Sequence, residues 1–292
     1  MILITGAHGQ LGREFAAIRS AYPDFQFLYL NRTQLDITNA ESIQKVFSSN
    51  PIQYCINCAA YTAVDKAEND QQSAKLVNAV APALLAEACR KKGATMIHFS
   101  TDYVYDGLYN RPFSEDHPTQ PQSVYARTKL EGEKNVLEIL PESMIIRTSW
   151  VYSSMGHNFL NTMLKLGQER SQLRVVYDQI GSPTYARHLA RAVLDIIQNL
   201  EPTPRQSGGI YHYSNEGVCS WYDFALAIFE LTGIDCSVEP IESKDFPTPA
   251  KRPHFSLLNK AKIKTTFNLS IAHWRHALQD CLTQKEQNPD NG

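Results

Sequence analysis

Short apolar runs alternate with longer segments of helical periodicity along the first half of the chain. The apolar runs are short and bounded by turn residues, which is typical of buried strands. They predict strands at 2–4, 25–30, 54–57, 95–99 and 144–148. The segments between them predict helices at 10–18, 39–47, 74–92 and 125–140. This alternation predicts an α/β fold, with a doubly wound parallel (Rossmann) sheet covered by helices on both faces.

Beyond Trp150 the pattern is less regular. Helices are predicted at 159–169, 188–199 and 220–232, and a strand at 174–176. We expect 201–209 to be a surface connection, 240–256 to be extended and rich in loops, and 283–292 to be a mobile tail. Residues 1–150 should form the dinucleotide-binding domain, with elements near 171–215 returning to it. Residues 151–170 and 216–292 should form a smaller, discontinuous C-terminal substrate-binding lobe.

Composition narrows the class of protein further. Of the 292 residues, 43% are hydrophobic and the net charge is −2, which suits a globular domain with an ordinary core. Lys and Arg are scattered, so neither nucleic acid nor an anionic membrane is expected as a partner. No apolar run predicts a membrane span, and the N-terminus does not resemble a signal peptide, so we predict a cytoplasmic protein. Cys55 lies in a predicted strand and Cys58 at its exit, which favours a structural role over a redox or metal site.

The loop after the first predicted strand carries three glycines in the segment TGAHGQLG. Gly6, Gly9 and Gly12 stand between a strand and a helix, where glycine lets the backbone turn sharply and approach a pyrophosphate. The N-terminus of the helix then offers free N–H groups to the phosphates. This context predicts a dinucleotide site.

The residues after the second predicted strand bear on which dinucleotide is used. NAD-preferring sites often carry an acidic residue there, which binds the ribose hydroxyls. This chain has Asn31 and Arg32 instead. A guanidinium pairs well with a 2′-phosphate, so Arg32 favours NADPH over NADH. The alternative is that Arg32 is an exposed arginine without a ligand.

A second group of polar residues predicts proton transfer at a carbonyl. Thr101 follows the fourth predicted strand, at the sheet edge where α/β proteins bind ligands. Tyr125 and Lys129 lie one helical turn apart and therefore share a face. A nearby ammonium lowers the pKa of a tyrosine, which can then exchange a proton with a substrate oxygen. These three residues are the candidate catalytic group.

Several longer blocks carry a family resemblance. They are 5–12, 57–68 (NCAAYTAVDKAE), 100–107 (STDYVYDG), 125–133 (YARTKLEGE), 147–152 and 249–253. With them the chain resembles the dTDP-4-dehydrorhamnose reductase family of the extended short-chain dehydrogenase/reductases over nearly its whole length. The resemblance implies that a hydride from NADPH or NADH reduces the 4-keto carbon of dTDP-4-dehydro-L-rhamnose, with Tyr125 protonating the oxygen.

The resemblance also implies site residues. Those implied for the cofactor are Gly9, Gln10, Leu11, Asp36, Ile37, Ala60, Tyr61 and Thr62, and those implied for the sugar nucleotide are Thr101, Asp102, Trp150, Asn158 and Arg252. Some family members form dimers bridged by metal-bound carboxylates. Glu14 fits the first of these positions, but Arg187 replaces a later one, so no metal site is expected and the protein is predicted to be a monomer or a homodimer.

Two other functions fit the same motifs. A relative with this signature, the regulatory subunit of methionine adenosyltransferase, is not catalytic, although Trp150 and the proline-rich segment 240–256 favour the reductase. An epimerase, or a reductase of another keto sugar, would share the chemistry and differ in the C-terminal half.

Overall fold

The computed structural model describes residues 1–200 and 208–287, apart from the side chain of Leu200. The predicted connection at 201–209 and tail at 283–292 therefore lie partly outside the described residues. The strands are β1 (Ile2–Thr5), β2 (Phe27–Leu30), β3 (Tyr54–Asn57), β4 (Thr95–Thr101), β5 (Met144–Thr148), β6 (Val151–Tyr152), β7 (Gln172–Val176), β8 (Ile180–Gly181), β9 (Thr184–Tyr185), β10 (Gly209–Tyr213), β11 (Cys219–Ser220) and β12 (Ser237–Ile241). The helices are α1 (Gln10–Ile18), α2 (Ala40–Ser49), α3 (Val64–Ala67), α4 (Gln71–Lys75), α5 (Ala81–Lys92), α6 (Val124–Ile139), α7 (Phe159–Glu169), α8 (Ala186–Leu200), α9 (Trp221–Thr232), α10 (Ala261–Phe267) and α11 (Trp274–Gln287).

Six parallel strands form the central sheet, in the order β10-β5-β4-β3-β1-β2. Their apolar side chains point to both faces, because each face is covered by helices. One face packs on α1, α8 and α10, and the other packs on α2, α5 and α6. This architecture confirms the predicted doubly wound α/β fold.

A separate apolar cluster lies among α7, α9 and α11, with β7 and β12 paired beside it. Strand β10 joins the central sheet, whereas β7 pairs with β12. Within 171–215, β10 is therefore the strand that extends the central sheet. The division into a Rossmann domain and a discontinuous lobe stays a prediction.

Two local predictions differ from the structure. The helix predicted at 74–92 begins at Gln71 and contains a π-helical segment, Leu76–Val80, between α4 and α5. This segment packs closely on α6, since a Cβ on Gly132 would lie 2.0 Å from the carbonyl oxygen of Asn78. The mobile tail was predicted from residue 283, yet residues 283–287 complete α11, where Lys285 Nζ donates to the carbonyl of Ser154.

None of the described helices combines the length and apolar character needed to cross a membrane.

Candidate active site

The glycine-rich loop between β1 and α1 lies against the end of β3. Gly6 has a φ of +62°, and a Cβ there would lie 2.7 Å from the backbone nitrogen of Ala59. A Cβ on Gly12 would lie 2.5 Å from the carbonyl oxygen of Gly6. Both positions therefore require glycine, for conformation at Gly6 and for space at Gly12. The resulting backbone cradle at the start of α1 fits the pyrophosphate of a dinucleotide.

Gln10 joins this cradle to the second half of the chain. Its Oε1 accepts a hydrogen bond of 2.9 Å from Nδ2 of Asn158. Asn158 also begins α7, where its Oδ1 accepts from the backbone N–H of Asn161. A residue predicted for the cofactor and one predicted for the nucleotide sugar are thus in direct contact. Gly9 is exposed beside them and Leu11 is half-buried.

The region predicted for the adenosine end of the cofactor is more open. Asn31 and Arg32 follow β2, and the Arg32 side chain is exposed. The hydroxyl and backbone N–H of Thr38 donate to Asp36 and lower the pKa of its carboxyl, with a smaller contribution from the charge of Arg32. Ile37 is buried, so its side chain serves the core. Arg32 is therefore near Asp36 and faces solvent, where a phosphate has access to it.

A groove of about 940 Å³ borders this end of the site. Basic and amide side chains line it, among them His8, Arg13, Arg19 and Asn31. Arg32 is absent from this lining. His8 lies beside Asn31, since its Nε2 is 3.3 Å from the Asn31 amide nitrogen. Arg13 and Arg19 of the groove thus add positive charge near Asn31, in addition to that of Arg32.

The segment after β3 contains Ala60, Tyr61 and Thr62, and its backbone is hydrogen-bonded by the side chain of Asn78. The side chain of Asn78 accepts from the backbone N–H of Tyr61 at 2.8 Å and donates to its carbonyl at 3.1 Å. Asn78 belongs to the π-helical segment, and such segments are frequent at functional sites. This contact was not predictable from the sequence, because Asn78 lies inside a regular helical pattern.

Thr101 and Tyr125 meet at the carboxyl edge of the sheet. Thr101 is buried at the end of β4, and Tyr125 stands in the first turn of α6. Burial raises the pKa of Tyr125 to about 12, although the neighbouring Thr101 side chain acts to lower it. The phenol therefore keeps its proton, which a group that donates to a reduced carbonyl must have.

Lys129 lies one turn along α6 and is almost fully buried. Its Nζ donates to the carbonyl oxygen of Phe99 at 2.6 Å. Burial lowers the pKa of Lys129 to about 8, and the carboxylate of Glu133 opposes that shift. The expected lowering of the Tyr125 pKa is not present, because burial dominates at Tyr125 and the ammonium is directed at the Phe99 carbonyl.

Asp102 follows Thr101 and is buried, with 2% of its surface exposed. Thr101 Oγ1 donates to its Oδ1, while its Oδ2 is buried without a hydrogen-bond partner. Burial raises the pKa of this carboxyl to about 7, and the nearby hydroxyls of Ser256 and Thr101 offset part of that rise. A buried carboxyl with a free oxygen is suited to bind a polar ligand group.

Arg252 is held in place by Asp65, a residue that the motif analysis did not single out. Arg252 donates through both terminal nitrogens to the Asp65 carboxylate, at 3.0 and 2.7 Å. The backbone N–H of Ala250 also donates to Asp65. The charge of Arg252 also acts on Tyr103, whose ring packs edge-on against Tyr125. The guanidinium thus reaches the catalytic group from the loop after β12.

Trp150 adopts an unusual backbone conformation at the same edge. Its φ is +48°, and it is one of two non-glycine residues with positive φ in the described ranges. Such strain costs about 1–3 kcal/mol and is found mostly at ligand sites. Strand β5, which ends just before it, pairs with β4 so that Thr148 lies beside Thr101. Trp150 therefore belongs to the same sheet edge as the candidate catalytic residues.

Glu14 and Arg187, the two positions that bear on a bridging metal, pair with each other. Arg187 Nε donates to Glu14 Oε2 at 2.7 Å, and Ser153 Oγ donates to Glu14 Oε1 at 2.6 Å. Glu14 is fully buried. The guanidinium therefore supplies the positive charge that this carboxylate requires.

Comparisons with known proteins agree over the whole chain. The family model described as the RmlD substrate-binding domain matches residues 1–287. The dTDP-4-dehydrorhamnose reductase of Aggregatibacter actinomycetemcomitans is 40% identical, covering 98% of this chain and 99% of that protein. A crystal structure of the Clostridium acetobutylicum reductase has a TM-score of 0.92 at 41% identity, covering 98% and 99%. The Bacillus anthracis reductase, solved with NADP, has a TM-score of 0.91 at 35% identity, covering 97% and 98%.

Proposed function

The chain belongs to the RmlD family, and from that premise we propose that it reduces the 4-keto group of dTDP-4-dehydro-L-rhamnose to give dTDP-L-rhamnose. The enzyme is an NADP-dependent oxidoreductase of nucleotide-sugar biosynthesis. One observation carries the proposal: Thr101, Tyr125 and Lys129 meet at the sheet edge that also holds the glycine cradle and Trp150.

Each residue of the catalytic group has a distinct task in this proposal. Thr101 holds the substrate carbonyl oxygen beside Tyr125, and Tyr125 donates its phenolic proton to that oxygen as negative charge develops. In this proposal Lys129 binds the nicotinamide ribose, and its charge one helical turn away favours the phenolate that Tyr125 leaves behind as the proton is transferred. Bound NADPH supplies the hydride.

The binding residues are assigned in the same way. We propose that the cofactor is held by Gly6, Gly9, Gln10, Leu11, Gly12, Asn31, Arg32, Asp36, Ile37, Ala60, Tyr61, Thr62, Tyr125 and Lys129. The cradle at Gly6 and Gly12 supports the pyrophosphate contact. The proposed contacts of the sugar nucleotide are Thr101, Asp102, Trp150, Asn158 and Arg252. The unpartnered Oδ2 of Asp102 supports a polar contact to the sugar.

The proposal is tested by following NADPH absorbance during incubation of the purified protein with enzymatically generated dTDP-4-dehydro-L-rhamnose. Turnover to dTDP-L-rhamnose, identified by chromatography against a standard, is the expected result. Binding of NADPH without turnover of this sugar or of other dTDP-linked 4-keto sugars would instead favour the non-catalytic regulatory role. Turnover of a different keto sugar but not of this one would identify the protein as a reductase of that other sugar.

Arg32→Ala should weaken NADPH much more than NADH. A guanidinium contact to the 2′-phosphate is a charge-assisted hydrogen bond of about 1.5–3 kcal/mol, or roughly 10- to 150-fold in affinity. The measurement is the dissociation constant of each cofactor by fluorescence titration. Arg90→Ala, at the exposed end of α5, is the matched control and should change neither value. Equal losses for both cofactors would dismiss the contact, and Arg13→Ala would then test the groove beside α1.

The pH profile of kcat/KM should fall above pH about 8, where Lys129 loses its proton. The unfolded lysine keeps its proton up to about pH 10.4, so the unfolded chain binds more protons between these values. The stability contribution of this group therefore rises with pH over that window, and unfolding through Lys129 cannot explain the loss of rate. Lys129→Arg, which keeps its charge, should move the fall to higher pH.

Asp102 titrates nearby, with a pKa of about 7, and its charge acts on Tyr125. The Asp102→Asn variant distinguishes the titration of Asp102 from that of Lys129. In its pH profile of kcat/KM, any step near pH 7 should disappear, while the fall above about pH 8 should remain. A profile that is flat to pH 10 in the unmodified enzyme would contradict the role of Lys129.

We further propose that the enzyme works in the cytoplasm as a monomer or homodimer, without nucleic-acid or membrane partners. Its mixed surface charge and nucleotide-sugar substrate support this setting. The internal Glu14–Arg187 pair supports assembly without a bridging metal, since the carboxylate is already neutralised.

A further inference from the structure

Two indole rings are stacked beside the proposed sugar site. The ring centroids of Trp150 and Trp221 are 3.6 Å apart, and the planes are inclined by 10°. Both residues are half-buried, so part of the pair faces solvent. Trp221 comes from a different part of the chain, at the start of α9. Trp150 was predicted from the sequence to contact the sugar, whereas no role was predicted for Trp221.

Trp221 is fixed by its own local structure. Ser220 and Asp223 form a reciprocal capping box at the start of α9, which fixes the helix end at the first position. On its other side, Trp221 packs against Phe159, with ring centroids 4.7 Å apart. Phe159 directly follows Asn158, a proposed contact of the nucleotide sugar. Trp221 therefore bridges the two parts of the proposed sugar pocket.

The backbone of Gly181 lies close to the indole ring of Trp150. A Cβ on Gly181 would lie 2.9 Å from Cε2 and Cζ2 of Trp150, and 3.0 Å from Oγ of Ser256. Gly181 belongs to β8, which pairs with β11 directly before Trp221. Trp150, whose backbone φ is positive, is thus packed closely against both Trp221 and Gly181.

We propose that Trp221 is a positioning residue for sugar recognition: it holds Trp150 so that the exposed part of the indole pair forms the apolar wall for a 6-deoxy sugar. This rests on the proposed function. An unsubstituted methyl group and ring C–H bonds give a 6-deoxy sugar an apolar surface, which an aromatic wall covers well. The described ring contacts of Trp221 are with Trp150 and Phe159, neither of which is a proposed cofactor contact, so we expect the effect to fall on the sugar.

Calorimetric titration with dTDP-L-rhamnose and with dTDP alone isolates the contribution of the sugar to binding. The Trp221→Leu variant should bind dTDP-L-rhamnose more weakly and dTDP with unchanged affinity. The expected loss is about 3- to 10-fold for dTDP-L-rhamnose, from the aromatic contact. Trp221→Phe should restore part of it, because a ring remains to support Trp150. Gly181→Ala, which displaces Trp150 from the other direction, should give the same selective loss. KM for the keto sugar should rise with the same selectivity, while KM for NADPH stays unchanged.

Trp274→Phe is the matched control, since Trp274 is a buried tryptophan of the cluster among α7, α9 and α11. It should change melting temperature without changing the ratio of the two affinities. Equal weakening of dTDP and dTDP-L-rhamnose in Trp221→Leu would show a structural role and overturn the proposal. If the unmodified protein binds both ligands equally, or turns over no dTDP-linked keto sugar, the proposed function itself fails.

Discussion

Replacing Tyr125 by phenylalanine should lower kcat by about 10²- to 10⁴-fold, the usual contribution of a general acid. Tyr125 carries the hydroxyl that faces Thr101, and burial keeps that hydroxyl protonated. Phenylalanine preserves the ring and its edge-on contact with Tyr103 but has no proton to donate. Steady-state reduction of the 4-keto sugar, measured at saturating NADPH, gives the ratio directly.

Binding of NADPH to Tyr125→Phe separates loss of chemistry from loss of structure. The dissociation constant should change little, because one of many proposed cofactor contacts is removed. Tyr222→Phe, on the half-buried first turn of α9, is a suitable control and should keep full turnover. If Tyr125→Phe turned over near the normal rate, another group would have to supply the proton.

Replacing Glu133 by glutamine should destabilise the fold by about 3–5 kcal/mol, because it leaves a buried guanidinium without its counter-charge. Arg147 donates to both oxygens of Glu133, at 3.0 Å from Nε and 2.6 Å from the second terminal nitrogen, and only 3% and 1% of the two side chains is exposed. Burial alone lowers the pKa of Arg147, but the pair with Glu133 outweighs it and the net shift is upward. Urea unfolding followed by circular dichroism measures the change.

Glu131→Gln provides a control on the same helix. Glu131 pairs with Lys75 at 3.0 Å, but both side chains are well exposed, so the loss should be about 0–1 kcal/mol. Equal losses in Glu131→Gln and Glu133→Gln would contradict the burial argument. Glu133→Gln should also lower the pKa of Lys129 further, because the Glu133 carboxylate now raises it. The alkaline fall in kcat/KM should then begin at a lower pH.

Most of the central sheet was predictable from the sequence, because its strands are buried on both faces. Such strands appear as continuous apolar runs, and β3 and β5 match their predicted bounds. Helices α1 and α7 also match, since each presents one apolar side to a core. The glycine loop was equally readable, because a left-handed φ at Gly6 and a close approach at Gly12 admit little else.

The candidate catalytic residues could be predicted from local sequence patterns. Thr101 follows a predicted strand, and Tyr125 and Lys129 are spaced one helical turn apart on a predicted helix. The pKa of Tyr125 was not predictable in the same way. It depends on how much water the surrounding elements exclude, and burial raises it where the neighbouring ammonium was expected to lower it.

The residues that the sequence did not reveal are partners across long separations. Asp65 meets Arg252, Asn78 meets Tyr61, and Trp221 meets Trp150 only when different segments converge. None of these partners stands in a periodic pattern that distinguishes it from a surface or core residue.

The sequence by itself determined the α/β class, the glycine loop at the start of α1 and the candidate proton-transfer group, because each depends on local periodicity or on a backbone conformation that few residues adopt. Only the tertiary structure decided the ionisation of Tyr125 and Lys129, the pairing of Glu14 with Arg187, and the support of Trp150 by Trp221. These features depend on burial and on contacts between distant segments. A linear pattern does not encode them, because the free energy of a charge or a ring is set by everything that packs around it.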